Sequence, residues 1–257
     1  MPAAIVTGAT SGIGRALTLE LASRGWSLGI TARRAQVLDA LADEIRKGRA
    51  GRRVEVRALD VMDADAVRAT VHDLFAALGD VGLVVANAGI GGNHRVGTGN
   101  FARSRDIITT NLIGAMATVD AAVECWRAQP GAGPRRVVGI TSVAGFRGLP
   151  GSSAYCASKA GLSLYLEAAR GEIRSLGIDV IDIAPGFIDT PLNQDAASRP
   201  FLIDPADGAR RIADLIDRGV RRTTVPVWPW TAIGWLMRNV PDAAWTRLSG
   251  SLHRGRG

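Results

Sequence analysis

Short runs of apolar residues alternate along this chain with longer stretches in which apolar residues recur every three or four positions. The runs predict buried β-strands, and the spaced pattern predicts helices that bury one face. The predicted strands cover residues 3–7, 27–31, 54–59, 81–86, 136–141, 178–184 and 223–227. The predicted helices cover residues 12–24, 35–48, 64–78, 102–127, 152–176 and 205–218.

This alternation predicts an α/β fold, a doubly wound sheet of seven parallel strands with helices on both faces. Parallel strands joined by helices require right-handed crossovers, and strands that are apolar throughout are typical of sheets covered on both sides. No internal repeat or low-complexity linker interrupts the pattern, so we expect residues 1–257 to form a single domain. Such a sheet binds ligands beyond the carboxyl ends of its strands.

A glycine-rich turn joins the first predicted strand to the first predicted helix. Its glycines are Gly8, Gly12 and Gly14, and Ser11 and Ile13 lie between them. Glycine permits a sharp turn and a close approach by a pyrophosphate, and the amino end of the helix offers free N–H groups to phosphates. The turn therefore predicts a dinucleotide site, although its spacing is G-x-x-x-G-x-G rather than G-x-G-x-x-G.

Tyr155 and Lys159 are four residues apart in a predicted helix, so both side chains project from one face. An ammonium near a phenol favours the phenolate, and we therefore expect Lys159 to lower the pKa of Tyr155 toward neutrality. A tyrosine of this kind can donate and accept a proton near physiological pH. Ser142, at the end of a predicted strand, and Asn111, in an earlier predicted helix, complete the candidate catalytic set.

In their order and spacing these motifs resemble those of the short-chain dehydrogenase/reductase family, and the resemblance extends to about residue 227. The shared motifs are the glycine-rich turn, Asp60, Asn87-Ala88-Gly89, Asn111, Ser142, Tyr155-x-x-x-Lys159 and Pro185-Gly186. The resemblance implies a Rossmann-type catalytic domain. It also implies an oxidoreductase that uses a nicotinamide cofactor to interconvert an alcohol and a ketone or aldehyde.

The resemblance implies a role for each catalytic residue. Tyr155 would exchange a proton with the substrate oxygen, and Ser142 would hydrogen-bond that oxygen. Lys159 would assist Tyr155 and bind the nicotinamide ribose, and Asn111 would complete a proton path through its main chain and a water. The remaining cofactor-binding positions would be Gly8, Ser11, Gly12, Ile13, Gly14, Asp60, Val61, Asn87, Ala88, Gly89, Pro185, Gly186, Ile188 and Thr190.

Two of these positions have a structural alternative. Asp60 would accept a hydrogen bond from the adenine, or it could cap the next helix, a role that Asp63 could also fill. We expect Asn87 to stabilise the sheet rather than to contact substrate. His94, in the loop after the fourth strand, is a further candidate for the pocket wall.

The end of the second strand indicates which cofactor is preferred. Enzymes that use NAD usually carry an acidic residue there, whereas this chain has Ala32 followed by Arg33 and Arg34. A carboxylate would repel a 2′-phosphate, and an arginine fork can bind it with two hydrogen bonds. We therefore predict a preference for NADP(H) over NAD(H), with Arg33 as the phosphate ligand and Arg34 as the more solvated side chain.

Composition excludes several other classes of protein. The net charge is +7, but the arginines are scattered and no basic stripe with interleaved aromatic residues suggests nucleic-acid binding. Cys125 and Cys156 have no metal or redox spacing, and we predict no metal site. We expect no signal peptide and no apolar stretch of the roughly 18 residues needed to span a bilayer. The expected location is the cytoplasm.

The substrate is the least defined part of the prediction. Residues 186–204 would form a lid over it, and an apolar or amphipathic small molecule is indicated by Phe146, Leu149, Phe187, Leu192, Phe201 and Leu202. Two other functions stay open. The same fold could serve a regulatory or scaffold protein that senses nucleotides, or an epimerase or dehydratase that uses the bound cofactor.

The segment 226–257 is rich in tryptophan and should contain two short helices, since Pro241 interrupts the apolar pattern. It could cover the substrate site or a neighbouring subunit, pack in the core, or make a peripheral membrane contact. The helices at 102–127 and 152–176 are apolar on more than one side. The resemblance implies that their second faces pair with those of another copy, in a homodimer or a homotetramer.

Overall fold

The protein contains the seven-stranded parallel sheet that its sequence predicts. The structure, a computed structural model, describes residues 3–48, 53–92, 95–129, 133–194 and 198–254. The strands are β1 (Ala3–Thr7), β2 (Ser27–Ala32), β3 (Val54–Ala58), β4 (Val81–Ala86), β5 (Arg135–Ile140), β6 (Ile178–Pro185) and β7 (Arg222–Val225). Their order across the sheet is β3-β2-β1-β4-β5-β6-β7, and all neighbours are parallel. The predicted fold class is confirmed.

Helices connect the strands and cover the sheet. They are α1 (Gly12–Ser23), α2 (Ala35–Gly48), α3 (Ala64–Leu78), α4 (Phe101–Ile108), α5 (Gly114–Ala128), α6 (Ser153–Glu172), α7 (Pro205–Asp217), α8 (Trp230–Asn239) and α9 (Asp242–Arg254). Between β7 and α8, the strand ends at Val225 rather than at residue 227 as predicted, because Pro226 has no N–H for the sheet. The last two helices confirm the expected break at Pro241.

Each strand of the centre contributes side chains to two separate cores. In β1, Ala4 and Val6 pack in the layer that contains α1, α2 and α7, whereas Ala3 and Ile5 pack in the layer that contains α3, α5 and α6. The alternation follows from the two-residue period of a strand. Because helices cover both faces, the polar ends of the strands at the carboxyl edge form the natural ligand site, and the strand order reverses there between β1 and β4.

The predicted helix at 102–127 is two helices joined by a π-helical turn, Thr109–Ile113. The turn brings Asn111 inward, where its side chain bonds both main-chain groups of Ile90, at 2.7 Å from the nitrogen and 2.9 Å from the oxygen. Gly114 ends the turn against the main chain of Val61, and a Cβ atom there would lie 2.5 Å from the Val61 oxygen. Wider turns of this type often occur at functional sites.

One stretch contradicts the expectation that no segment is apolar and long enough to span a bilayer. The helical stretch 101–128 contains an 18-residue window that is apolar enough for a spanning helix. However, 56% of that window is buried inside the protein, and Val119 and Ala122 of α5 lie in the second core. Its apolar character is therefore accounted for by packing against the sheet.

Candidate functional site

A cleft of about 590 Å³ opens at the carboxyl edge of the sheet. Of the predicted site residues, all but Asn111 line it, and Asn111 is fully buried one layer beneath. The lining therefore brings together Gly8, Ser11, Gly12, Ile13, Gly14, Arg33, Asp60, Val61, Asn87, Ala88, Gly89, Ser142, Tyr155, Lys159, Pro185, Gly186, Ile188 and Thr190. His94 lies outside the described residues.

The glycine-rich turn is shaped by contacts that exclude any side chain. Gly8 and Gly12 have positive φ angles, +70° and +53°, which glycine adopts at little cost. A Cβ atom on Gly14 would lie 2.2 Å from the Gly8 oxygen. Ser11 precedes α1 and makes no capping hydrogen bond with its side chain. The turn is thus an open cradle at a helix amino end, which suits the phosphates of a dinucleotide.

Thr7 and Asn87 hold this cradle against the end of β4. The Thr7 hydroxyl oxygen accepts hydrogen bonds from the main-chain nitrogens of Asn87, at 3.0 Å, and Ala88, at 3.1 Å. In return, Asn87 Nδ2 donates to the Thr7 oxygen at 2.9 Å and to the Gly8 oxygen at 3.3 Å. Asn87 therefore joins two loops across the switch in strand order, as its expected structural role requires.

The two polar ends of β2 and β3 are exposed in the cleft. Among the described residues, Asp60 Oδ1 accepts from the nearby Met62 nitrogen alone, at 3.1 Å, while Asp63 caps α3 by accepting from the Ala66 nitrogen at 2.9 Å. The alternative in which Asp60 caps that helix is therefore wrong. Arg33 makes no hydrogen bond or ion pair with another described residue, so its donors are available to a ligand.

Arg34 also lines the cleft, although we expected it to be the more solvated of the pair. Its Nη2 donates to the hydroxyl of Thr10 in the glycine-rich turn, at 3.3 Å. This bond ties the start of α2 to the phosphate cradle. Both guanidinium groups therefore border the same end of the cleft.

Ser142, Tyr155 and Lys159 meet at the opposite end of the cleft. Ser142 follows β5 and hydrogen-bonds the Tyr155 hydroxyl, while its oxygen accepts from the Ala144 nitrogen at 3.1 Å. Lys159 Nζ lies 5.9 Å from the centre of the Tyr155 ring and donates to the Ile140 oxygen at 2.7 Å. One hydroxyl, one phenol and one ammonium are thus held by α6 and the end of β5.

The protonation of this group differs from the prediction. Burial raises the pKa of the Tyr155 phenol, and the hydrogen bond from Ser142 opposes that rise. Burial also lowers the pKa of Lys159 to about 8, against the opposing charge of Asp182. The predicted lowering of the Tyr155 pKa by Lys159 is wrong for this structure, because the ammonium is directed at the Ile140 oxygen and the loss of hydration dominates.

Several lining residues were not predicted from sequence. Arg103, in the first turn of α4, donates to the Gly91 oxygen and lies close against Gly92, where a Cβ atom would be 2.9 Å from its Nε. Thr141 also borders the cleft. Arg103 has no sequence signal, since its position depends on how the loop after β4 folds back. Thr141 could have been found from its place directly before Ser142.

Three of the six predicted apolar pocket residues contact the last part of the chain. Leu192 lines the cleft, but Phe187 and Phe201 contact the ring of Trp230, each with ring centres 5.9 Å apart. Phe146 lies beneath the guanidinium of Arg238, at 3.8 Å. The expected lid, 186–204, is described except for residues 195–197. The main-chain nitrogen of Asp189 donates to the Ile203 oxygen at 3.0 Å, which joins the two ends of this segment.

The segment after β7 docks on the loop that follows Ser142. Arg147 Nη1 donates to the oxygens of Met237, at 3.1 Å, and Val240, at 2.9 Å. Trp245 Nε1 donates to the Gly148 oxygen at 2.9 Å. Trp230 lies against Gly186, where a Cβ atom would be 2.1 Å from its Nε1. The last part of the chain therefore packs beside the Ser142 end of the cleft, against the loop that follows Ser142 and against Gly186.

Comparisons with known proteins agree with this geometry. A family model described as short chain dehydrogenase matches residues 2–200. An uncharacterized oxidoreductase from Myxococcus xanthus is 41% identical over 233 residues, 88% of this chain and 87% of that protein. A short-chain dehydrogenase from Sphingobium yanoikuyae, solved with NADPH, has a TM-score of 0.79 and 26% identity over 95% of this chain and 98% of its own. A 3-oxoacyl-[acyl-carrier protein] reductase from Brucella melitensis, solved with NAD, has a TM-score of 0.79 and 26% identity over 87% of this chain and 94% of its own.

The contacts of Thr7 generate a testable prediction. Thr7→Val keeps the shape of the side chain but leaves the nitrogens of Asn87 and Ala88 without their acceptor, so the free energy of unfolding should fall by about 1–3 kcal/mol. Thr7→Ser keeps the acceptor and should lose less. Urea unfolding of the three proteins measures the difference. Equal losses in the two variants would show that the hydroxyl is not what holds the cradle.

Proposed function

Because the chain belongs to the short-chain dehydrogenase family and is an oxidoreductase, we propose that it interconverts an alcohol and a ketone or aldehyde with NADP(H). The observation that carries this proposal is the convergence of Ser142, Tyr155 and Lys159 in one cleft with a glycine cradle. A protein that only sensed nucleotides would need the cradle but not the proton donor. The dehydratase and epimerase alternatives would need further acid or base groups at the substrate end.

The residues of the cleft fit a dinucleotide. The cradle can form only because Gly8 and Gly14 lack a Cβ atom, which would clash with Ala88 in the first case and with the Gly8 oxygen in the second. Asp60 would accept a hydrogen bond from the adenine, and Lys159 would bind the nicotinamide ribose. Ile188 and Thr190, from the loop after Pro185-Gly186, would contact the carboxamide. When bound, the cofactor supplies or accepts a hydride.

The protein's own residues handle the proton. In the reductive direction the Tyr155 hydroxyl donates its proton to the substrate oxygen as negative charge develops there, and in the oxidative direction it accepts the proton. A pKa raised by burial keeps Tyr155 protonated and ready to donate at neutral pH. The Ser142 hydroxyl donates to the same oxygen and thereby stabilises the developing charge.

Lys159 and Asn111 support this transfer. With a pKa of about 8, Lys159 is mostly protonated at neutral pH, so its ammonium would be available to donate to the nicotinamide ribose beside Tyr155. A Cβ atom on Gly89 would lie 3.3 Å from Asn111 Oδ1 and 3.5 Å from Lys159 Nζ. The two side chains therefore border the same small space, in which we propose a water that returns a proton to Tyr155.

Replacement of the phenol tests the reaction assignment. Tyr155→Phe keeps the ring but removes the transferable proton, so kcat should fall about 10²-fold or more while NADPH still binds. Tyr165→Phe, ten residues further along the same helix, is the matched control and should keep wild-type turnover. The measurement is NADPH consumption over a panel of ketones and aldehydes.

Two outcomes would overturn the assignment. Near wild-type turnover of Tyr155→Phe would exclude the phenol as proton donor. Tight NADPH binding by the wild-type chain, without turnover of any substrate in the panel, would favour the nucleotide sensor.

The preference for NADP(H) is a finer part of the proposal. Arg33 has free donors at the edge of the cleft, and Ala32 places no carboxylate beside it. Both features favour a ligand with a 2′-phosphate. The bond of Arg34 to Thr10 leaves Arg33 as the more available of the two guanidinium groups.

A double substitution tests this preference. Ala32→Asp with Arg33→Gln should weaken NADPH binding by about 1.5–3 kcal/mol, the size of a charged hydrogen bond, and affect NADH little. Arg34→Gln is the control for a neighbouring loss of charge. Titration of both cofactors against each protein gives the ratio of affinities. An unchanged ratio in the double variant would remove Arg33 as the discriminator, and an equal change in Arg34→Gln would assign the phosphate to Arg34.

We propose a substrate that is apolar or amphipathic. Leu192 supplies an apolar wall, Arg103 a cation, and α8 and α9 a cover that lies on the loop after Ser142. Among the exposed residues of this segment are Trp228, Trp235 and Leu236. A peripheral membrane contact through them is an alternative use of that outer surface. We expect the protein to act in the cytoplasm.

The assembly is a further part of the proposal. Two apolar side chains near the outer faces of α5 and α6 are exposed: Leu164 on α6 at 66%, and Ile113, in the turn that leads into α5, at 43%. We propose that these faces pair with their copies in a homodimer, or in a homotetramer that contains it. The tail docks beside Arg147 and Gly148 instead, which supports burial of the helix faces by another chain.

Light scattering at micromolar concentration should give at least twice the chain mass of 27.0 kDa. Leu164→Arg should reduce it to a single chain, because a charge would be buried in the interface. Leu236→Arg, on α8 and 56% exposed, is the matched control and should leave the assembly intact. A monomeric wild-type chain would contradict the proposal, and dissociation by the control alone would move the interface to the tail.

A further inference from the structure

A buried carboxylate lies in the sheet next to the catalytic group. Asp182, in β6, is 1% exposed in a strand whose other inward residues are apolar. Its Oδ1 accepts from the Thr141 hydroxyl at 2.6 Å, and its Oδ2 accepts from the Ser163 hydroxyl. Arg222 Nε, on β7, is 3.3 Å from Oδ2. Burial of a charge costs free energy unless neighbouring groups compensate it. A buried carboxylate at this position therefore indicates a specific role.

Both hydroxyl partners belong to the elements that hold the catalytic residues. Thr141 stands between Ile140, whose oxygen accepts from Lys159, and Ser142, which hydrogen-bonds Tyr155. Ser163 lies one helical turn beyond Lys159 on α6. The carboxylate therefore joins the end of β5 to α6 at the two places from which the catalytic side chains project.

From this geometry we propose that Asp182 is a positioning residue, whose negative charge keeps Lys159 protonated and oriented in the buried end of the cleft. The inference rests on the proposed function of Lys159 and extends it to a residue that touches neither substrate nor cofactor. An asparagine has nearly the same shape and could accept one hydroxyl through its amide oxygen while its amide nitrogen donates to the oxygen of the other hydroxyl. Of the two side chains, only the carboxylate of aspartate carries a negative charge.

The charges around Lys159 come from several elements. Tyr155 lies on its own helix, and Asp182 on β6 is the negative group that raises its pKa against the effect of burial. Two arginines, Arg222 on β7 and Arg238 on α8, are near Asp182. The two positive charges repel each other, and Asp182 attracts both. Glu167 forms an ion pair with Arg222 at 3.3 Å and so neutralises part of the positive charge that Arg222 brings to Asp182.

The chain allows the charge of Lys159 to be measured directly. Its sequence contains only two lysines, Lys47 and Lys159, so selective ¹³C labelling of the lysine ε-carbon gives two NMR signals. Lys47 is exposed on α2 and serves as an internal reference. In the wild-type protein the Lys159 signal should titrate near pH 8.

Asp182→Asn is the decisive variant. Removal of one nearby charge should move the Lys159 titration down by on the order of one pH unit, with Lys47 unchanged. The alkaline limb of the kcat profile should move by the same amount. Asp179→Asn, an exposed aspartate on the same strand, is the matched control and should move neither. An unmoved Lys159 titration in a folded Asp182→Asn protein would overturn the proposal.

A second variant covers the case in which Asp182→Asn does not fold. Arg222→Gln removes a cation that competes for Asp182, at a partly exposed site, and should move the Lys159 titration to higher pH. An unmoved or lowered titration there would equally overturn the proposal. Because the NMR readout needs no turnover, failure of this inference is distinguishable from failure of the reaction assignment, which Tyr155→Phe tests.

Discussion

The covering of both faces of the sheet by helices is the constraint from which the site follows. Once side chains on either face of β1 and β4 are committed to apolar cores, polar groups can gather only where the strands end. The switch in strand order then opens a crevice, and Thr7 and Asn87 keep its two sides at a fixed separation. The cleft at the carboxyl edge of the sheet is therefore where polar, reactive side chains can lie without entering the apolar cores.

The cleft has two electrostatic environments. At the end formed by β2 and β3, Arg33 and Asp60 are exposed, and their charges can be hydrated until a ligand replaces the water. At the end formed by β5 and β6, Lys159 and Asp182 are buried, and each must find compensation within the protein. Recognition of a large polar cofactor suits the first environment, and proton transfer suits the second, where charges interact strongly.

The sequence was sufficient for features that depend on local pattern. The seven strands, the cradle glycines and the placement of most candidate residues follow from apolar runs and the groups at their ends. The helix predicted at 102–127 is present, but the π-turn inside it was not predicted, because the apolar periodicity continues through the turn and the turn depends on the distant main chain of Ile90. The predicted lowering of the Tyr155 pKa was wrong for a similar reason. The spacing of Tyr155 and Lys159 does not show that the Lys159 ammonium donates to the Ile140 oxygen. Arg103 reaches the cleft through a loop conformation that no local pattern encodes.

The docking of α8 and α9 on the loop after Ser142 ties the end of the chain to the elements that hold the candidate catalytic residues. Arg147 donates to the main-chain oxygens of Met237 and Val240, and these two acceptors are present whatever side chains α8 carries. The indole of Trp245 and the carboxylate of Asp242 also hold the segment to this loop, and these two contacts depend on side-chain identity. Substitutions on the outer surface of the two helices can therefore leave the docking intact, whereas substitutions at these two positions would loosen it next to Ser142.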